Sequence, residues 1–183
     1  MTRRRVLSSW VLLGVILAGY ACEPDRRPPP YLEDFEGELC DGAPCDWSRT
    51  SGTPGQASYV ETIHPGEHAL QLTGDVEIRG PGNGLTLPGP EVLVRMTVRC
   101  DSGSRLSGAL IITDDLGTRP LPIPNVFAPT RWAETTVTVG GGGEIFESRL
   151  VAIELTKTGT GSCEIGEIMI RNLRTAFGDD IVC

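Results

Sequence analysis

Between Glu91 and Arg99 the chain alternates without a slip. Val92, Val94, Met96 and Val98 fall on one side of an extended backbone, and Leu93, Arg95, Thr97 and Arg99 on the other. Side chains of a strand alternate with period two, so this run predicts a strand with one face in a core and one turned out. His68–Thr73 repeats the pattern, with Leu70 and Leu72 against Gln71 and Thr73. Leu150–Thr156 places Val151, Ile153 and Leu155 inward, and Glu164–Asn172 does the same with Ile168 and Ile170. Leu106–Thr113 is apolar nearly throughout, as a central strand can be, before Asp114-Asp115-Leu116-Gly117 turns the chain. Trp132–Val139 runs into four glycines, Gly140–Gly143, which read as a turn or loop. Prolines such as Pro54, Pro65, Pro88 and those at 120–129 fall between runs or at strand edges. The expectation is an all-β antiparallel sandwich over residues 32–173, with no long helix beyond the first segment.

Residues 1–22 divide into a basic start (Arg3, Arg4, Arg5), an apolar run Val6–Ala18 and a small-residue exit. That is the tripartite secretory signal, with an apolar run too short for an ordinary membrane span; an uncleaved N-terminal anchor is the alternative. Gly19-Tyr20-Ala21-Cys22 resembles the bacterial lipobox, in which the cysteine receives the lipid and becomes the mature N-terminus. Gly19 and Ala21 equally suit the small–x–small rule of ordinary signal peptidase. Two locations therefore stand open: the cell envelope, lipid-anchored to a bacterial membrane through Cys22, or a soluble secreted or periplasmic form. The polar, proline-rich stretch at 23–30 suits a stiff tether. The division expected is 1–21 signal, 22–31 anchor cysteine and tether, and 32–183 folded domain.

Cysteines of an exported chain are read first as disulfides. Cys40 and Cys45 enclose Asp-Gly-Ala-Pro, a turn sequence that favours a local bridge. Cys100 and Cys163 each end a strand-like run and can join across a sheet. Lipidation of Cys22 would leave Cys183 odd; without it, Cys22 and Cys183 can pair. Charge narrows the partners further. The chain carries a net −8, and without Arg3, Arg4 and Arg5 it holds 13 basic against 24 acidic side chains, a net −11. Nucleic-acid affinity comes mainly from clustered Lys and Arg, so a nucleic-acid partner is excluded.

Several short patterns, taken in order, resemble the galactose-binding-like jelly roll, the fold of many carbohydrate-binding modules. Asp34-Phe35-Glu36-Gly37 is similar to its first strand, with Trp47 at the tryptophan expected after it. Gly66–Leu72 resembles the "G-x-x-A-L-x-L" strand, and Thr130-Arg131-Trp132 with Val137 and Val139 the "T-x-W" strand leading into "V-x-V". Ile165–Ile170 resembles the closing strand. The resemblance implies a jelly-roll β-sandwich and a non-catalytic carbohydrate-binding role. It also implies a structural calcium between Glu36 and the first acid of the closing strand. Gly166 holds that position and offers no carboxylate; Glu167 is one residue off and in a regular strand would face the other way.

For a sugar, the resemblance implies an exposed aromatic platform beside polar groups. Trp47 and Trp132 occupy positions that pack at the core edge, which leaves Tyr59 as the freest aromatic, ahead of Tyr31 and Phe127. Outward polar residues, namely Gln71, Arg95, Thr97, Arg99 and Glu154, describe a hydroxyl-reading face or a plain solvated sheet. Enzyme signatures are weak. His64 and His68 are four apart, but Pro65 and Gly66 break any helix that would align them. No G-x-S-x-G elbow is present, and Gly80–Gly84 lacks the helix and lysine of a phosphate loop. A single-domain polysaccharide lyase would need Tyr59, His64 or His68, and an arginine in one cleft. Two non-catalytic readings remain: a glycan-binding module, or an envelope protein that binds another protein through its sheet face or loops.

Overall fold

The computed structural model describes residues 23–24, 31–40, 43–62, 67–87, 91–126, 129–140, 147–172 and 181–182. The signal segment, Cys22, His64, Phe127 and Cys183 lie outside them, and so do the expectations placed on those residues.

Every regular element among the described residues is a strand. In chain order they begin with β1 (Glu23–Pro24), β2 (Tyr31–Glu33), β3 (Leu39–Cys40), β4 (Ala43–Pro44) and β5 (Ser48–Ser51). Next come β6 (Ala57–Glu61), β7 (His68–Thr73), β8 (Val76–Pro81), β9 (Thr86–Leu87), β10 (Glu91–Cys100) and β11 (Arg105–Asp114). The last are β12 (Gly117–Val126), β13 (Ala133–Gly140), β14 (Ser148–Thr158), β15 (Ser162–Asn172) and β16 (Ile181–Val182). Two six-stranded sheets result. The front sheet runs β13-β10-β15-β7-β6, with β2 also on β15; the back sheet runs β12-β11-β14-β8-β5, with β9 also on β14. Neighbours pair antiparallel throughout. Two small ribbons complete the fold: β3–β4, and β1–β16 with Glu23 opposite Val182.

The alternation explains the core. Val92, Val94, Met96 and Val98 of β10, with Ile168 and Ile170 of β15, face Leu110 and Ile112 of β11 and Ile153 and Leu155 of β14, all fully or almost fully buried. Each such side chain stabilises the sandwich by roughly 1.5–3 kcal/mol through removal from water. Cys100 and Cys163 stand opposite each other in the β10–β15 register and are bonded, with Cα atoms 4.0 Å apart. Cys40 and Cys45 are bonded across the β3–β4 ribbon. The prolines at 120, 122 and 124 sit in β12, an edge strand, where a missing N–H leaves no ladder incomplete.

Four strand pairings carry a register shift, and two of these bulges move residues singled out in the sequence. The β11–β14 register passes from Ile111↔Ala152 to Ile112↔Leu150, so Val151 is an extra residue. Val151, expected inward with Ile153 and Leu155, is instead exposed, and Leu150 takes the core position. The second bulge, at Gly166, shapes the site described below.

Close packing of the two halves depends on Gly80. A Cβ there would meet Trp47 ring carbons at 2.3 Å, so the glycine is what lets the indole lie flat on β8. At the far end of the sandwich, Lys157 continues the inward phase of β14 and is buried. Its Nζ donates to the carbonyl of Gly159 at 2.5 Å and to that of Gly161. Loss of water pulls its pKa below the ordinary lysine value, against the carboxylates of Asp75 and Asp101, which hold it up.

Candidate functional site

The site begins with the bulge on β15. Thr97 of β10 faces Glu167, while Val98 faces Ile165, so Gly166 has no partner on β10. The extra residue reverses the phase of the strand. Glu167 therefore lies on the outer face beside Thr97 together with Gly166, where a regular strand would put these two residues on opposite faces. On the other edge of β15, β7 pairs with Ser162–Ile165 and β2 with Ile168–Ile170. Neither strand covers Gly166 and Glu167, and a cleft of about 450 Å³ opens there. Its walls are Trp132, Thr97 and Glu167 on the sheet side and Asp34, Glu36, Thr62, Glu67 and His68 on the loop side.

The loop wall is held by Phe35. This residue has φ 56°, a left-handed conformation that is costly for a bulky side chain. Complete burial of its ring, 5.7 Å from the Trp47 ring and 6.5 Å from that of Tyr59, compensates for the cost. Glu33 secures both ends of the turn, accepting from the Phe35 N–H at 3.0 Å and from Trp47 Nε1–H at 3.2 Å. With Phe35 driven in, Asp34 and Glu36 are left exposed on the cleft side. Glu36 then receives the His68 backbone N–H at 2.6 Å on one oxygen and meets His68 Nδ1 at 2.9 Å with the other. These two hydrogen bonds hold its carboxyl below the usual range.

On the sheet side, the outer face carries a charged ladder. Arg95 reaches Glu167 at 2.8 Å and Glu134 at 3.5 Å. Arg99 binds Glu164, which also accepts from Gln71 Nε2 at 3.2 Å, and the Arg99 guanidinium lies 5.4 Å from the centroid of the Trp132 ring. Trp132 is half-buried over this ladder, its six-membered ring within 3.5–3.7 Å of where a Gly166 Cβ would sit.

The residues singled out from the sequence thus divide. Gln71, Arg95, Thr97 and Arg99 share the outer face as the alternation requires, and Glu36, Thr97 and Glu167 line one cleft. Glu154 belongs to the outer face of the back sheet, paired with Arg79, and has no part in the cleft. Tyr59 does not join the cleft either. It stands opposite Leu70 on the inner side of β6, packed against the core and Phe35. Burial first, then the charges of Glu33, Glu36, Asp34 and Asp46, push its pKa up to about 12. Its ring is 6.2 Å from that of His68. A lyase tyrosine has to give up or exchange its proton readily, and these surroundings act in the opposite direction. Trp132, expected at the core edge, is the aromatic that lines the cleft; Trp47 is buried in the core. The signal for Trp132 was its place just before β13, where a strand starts outside the packed layer.

The donors do not fit a calcium ion as placed. Both oxygens of Glu36 are engaged by His68, Glu167 is paired with Arg95, and Gly166 supplies no carboxylate. Among the described residues no group of three or more His, Cys, Asp or Glu is arranged to hold a metal.

No family model matches the chain, and no curated protein matches it in sequence. Solved structures do match in fold. The CBM22-1 xylan-binding domain of Paenibacillus barcinonensis Xyn10C is similar at a TM-score of 0.54 and 15% identity, over 82% of this chain and 96% of that one. The C-terminal family 22 carbohydrate-binding module of Clostridium thermocellum Xyn10B gives 0.51 and 16%, over 83% and 99%. The module CBM6cm-2 of Cellvibrio mixtus lichenase 5A, solved with cellotriose, gives 0.50 and 13%, over 79% and 98%. The chain is an all-β jelly-roll sandwich of the kind that carbohydrate-binding modules adopt.

Proposed function

We propose that this is an exported, non-catalytic glycan-binding protein, held to a bacterial membrane by lipid on Cys22, with its sugar site in the cleft at Gly166. The observation that carries the glycan reading is Trp132. A half-buried indole is fixed over an ion-paired ladder and borders an open cleft with hydroxyl and carboxylate groups around it. A pyranose has one apolar face suited to an indole and a rim of hydroxyls suited to Thr97, Glu167 and Asp34. Fold likeness to modules that bind xylan and cellotriose supports the same reading. The two disulfides support an oxidising compartment outside the cytoplasm.

Isothermal titration with xylohexaose and cellohexaose tests the site. Trp132→Ala should weaken binding by about thirtyfold or more, the usual effect of truncating a central aromatic anchor. Thermal unfolding of the variant should stay close to that of the parent. Binding that survives this substitution would place the sugar elsewhere. Intact mass of the membrane-extracted protein tests the anchor: a lipid-sized increment on an N-terminal Cys22 is expected, and an unmodified Cys22 linked to Cys183 would contradict it.

A further inference from the structure

We propose that the cleft prefers a glycan bearing free amino groups over neutral glycans and rejects glycans of uronic acids. This rests on the glycan-binding reading above and specifies its substrate class. The argument is one of charge compensation. Among the described residues, both arginines of the sheet wall already face carboxylates: Arg95 pairs with Glu167 and Glu134, and Arg99 with Glu164 and the face of Trp132. His68, on the loop wall, is held by Glu36 through both its backbone N–H and Nδ1. A carboxylated sugar would find no cation free to receive it in this set.

The acids are not matched in the same way. Glu36 and Glu167 have His68 and Arg95, but Asp34 and Glu67 line the cleft with no cationic partner among the described residues. Asp34 accepts the Glu36 backbone N–H at 3.2 Å. Two other arginines lie near. Arg131 is exposed beside Trp132 and does not line the cleft. Arg171 is four residues along β15 from Glu167, about 13 Å away at the rise of a strand. The cleft therefore keeps two uncompensated carboxylates on the wall opposite an indole. An ammonium group is the sugar substituent that satisfies both kinds of neighbour, by ion pairing with the acids and by attraction to the ring face.

Three β-1,4-linked hexasaccharides with the same backbone separate the possibilities: cellohexaose, the corresponding hexaglucosamine, and the corresponding hexaglucuronate. Titrated into the purified protein at low ionic strength, hexaglucosamine should bind about threefold to tenfold more tightly than cellohexaose. That ratio should shrink in high salt, and hexaglucuronate should show no binding. The double variant Asp34→Asn, Glu67→Gln should bring the ratio of the first two affinities toward one, and Trp132→Ala should weaken both. Equal or tighter binding of cellohexaose, or binding of hexaglucuronate, would overturn the preference while leaving the glycan site intact. Failure of all three sugars to bind would instead strike the glycan-binding reading itself, and the preference with it.

Discussion

The two sheets contribute alike to the core and differ on their outer faces. Inside, β10 and β15 on the front and β11 and β14 on the back present rows of Val, Ile, Leu and Met that are buried to the same degree. Outside, the back sheet carries a small satellite of Ala109, Ile111 and Ala152 beside the prolines of its edge strand. Its cross-strand ion pairs among the described residues are Arg79 with Glu154 and Arg119 with Asp114. The front sheet instead sets Arg95 and Arg99 against Glu134, Glu164 and Glu167, lays an indole over them, and opens a cleft where β15 is left uncovered. One alternation rule builds both sheets. It assigns residues to faces, and the chemistry of the outward set then differs between the two sheets.

The comparison can be broken most severely at the bond that ties the front sheet together. Replacing Cys100 and Cys163 by Ala frees a separation of 63 residues and should cost about 4 kcal/mol by loop entropy. Denaturant unfolding would show this as a lower midpoint with a steeper slope, because the unfolded chain without the crosslink is more expanded. The equivalence of the two inner faces comes next. Leu110→Ala, in the back-sheet interior, should cost about 2–5 kcal/mol. Ile111→Ala, one residue away but on the outer face, should cost clearly less. Equal losses would mean that the back sheet buries both faces alike. Gly80→Ala should cost about 1–3 kcal/mol, because the new methyl displaces Trp47 from its seat on β8.

The smallest effect is a dependence on pH. Asp101 accepts from the Ser162 N–H and hydroxyl, both at 2.8 Å, and Asp114 from the Leu116 N–H at 2.8 Å and from Arg119. These contacts, like those of Glu36, hold the carboxyls below their ordinary values in the folded protein. The unfolded chain therefore binds protons first. The stability these groups supply is present above the ordinary carboxylate range and is lost as pH falls through their lower folded values. Thermal unfolding should weaken progressively below about pH 4. Asp101→Asn should be less stable at neutral pH and show a shallower acid decline.

Much of this was legible in the sequence. Strands β7, β10 and β15 could be read because each keeps one aliphatic row, and the outward set Gln71, Arg95, Thr97 and Arg99 follows from the same count. Bulges were not legible. A single extra residue reverses the phase of a strand, so alternation places Val151 inward and sets Gly166 and Glu167 on opposite faces, although all three lie in strands correctly identified. Tyr59 and Trp132 exchanged roles for a related reason. The phase of Val137 and Val139 already turns residue 132 outward, whereas Tyr59 turns in because it stands opposite Leu70, a pairing between strands and not a property of either run. The left-handed turn at Phe35 gave no signal either, since the preference for that conformation belongs to Gly and Asn.

Amide and indole chemical-shift mapping of the labelled protein, titrated with cellohexaose, tests most directly whether the front sheet is the binding face. Shifts should concentrate at Thr97, Gly166, Glu167, His68 and the Trp132 indole, while Ala109, Ile111 and Ala152 stay in place. Shifts centred on the back sheet, or a spectrum unchanged at millimolar sugar, would contradict the assignment of the Gly166 cleft as a sugar site.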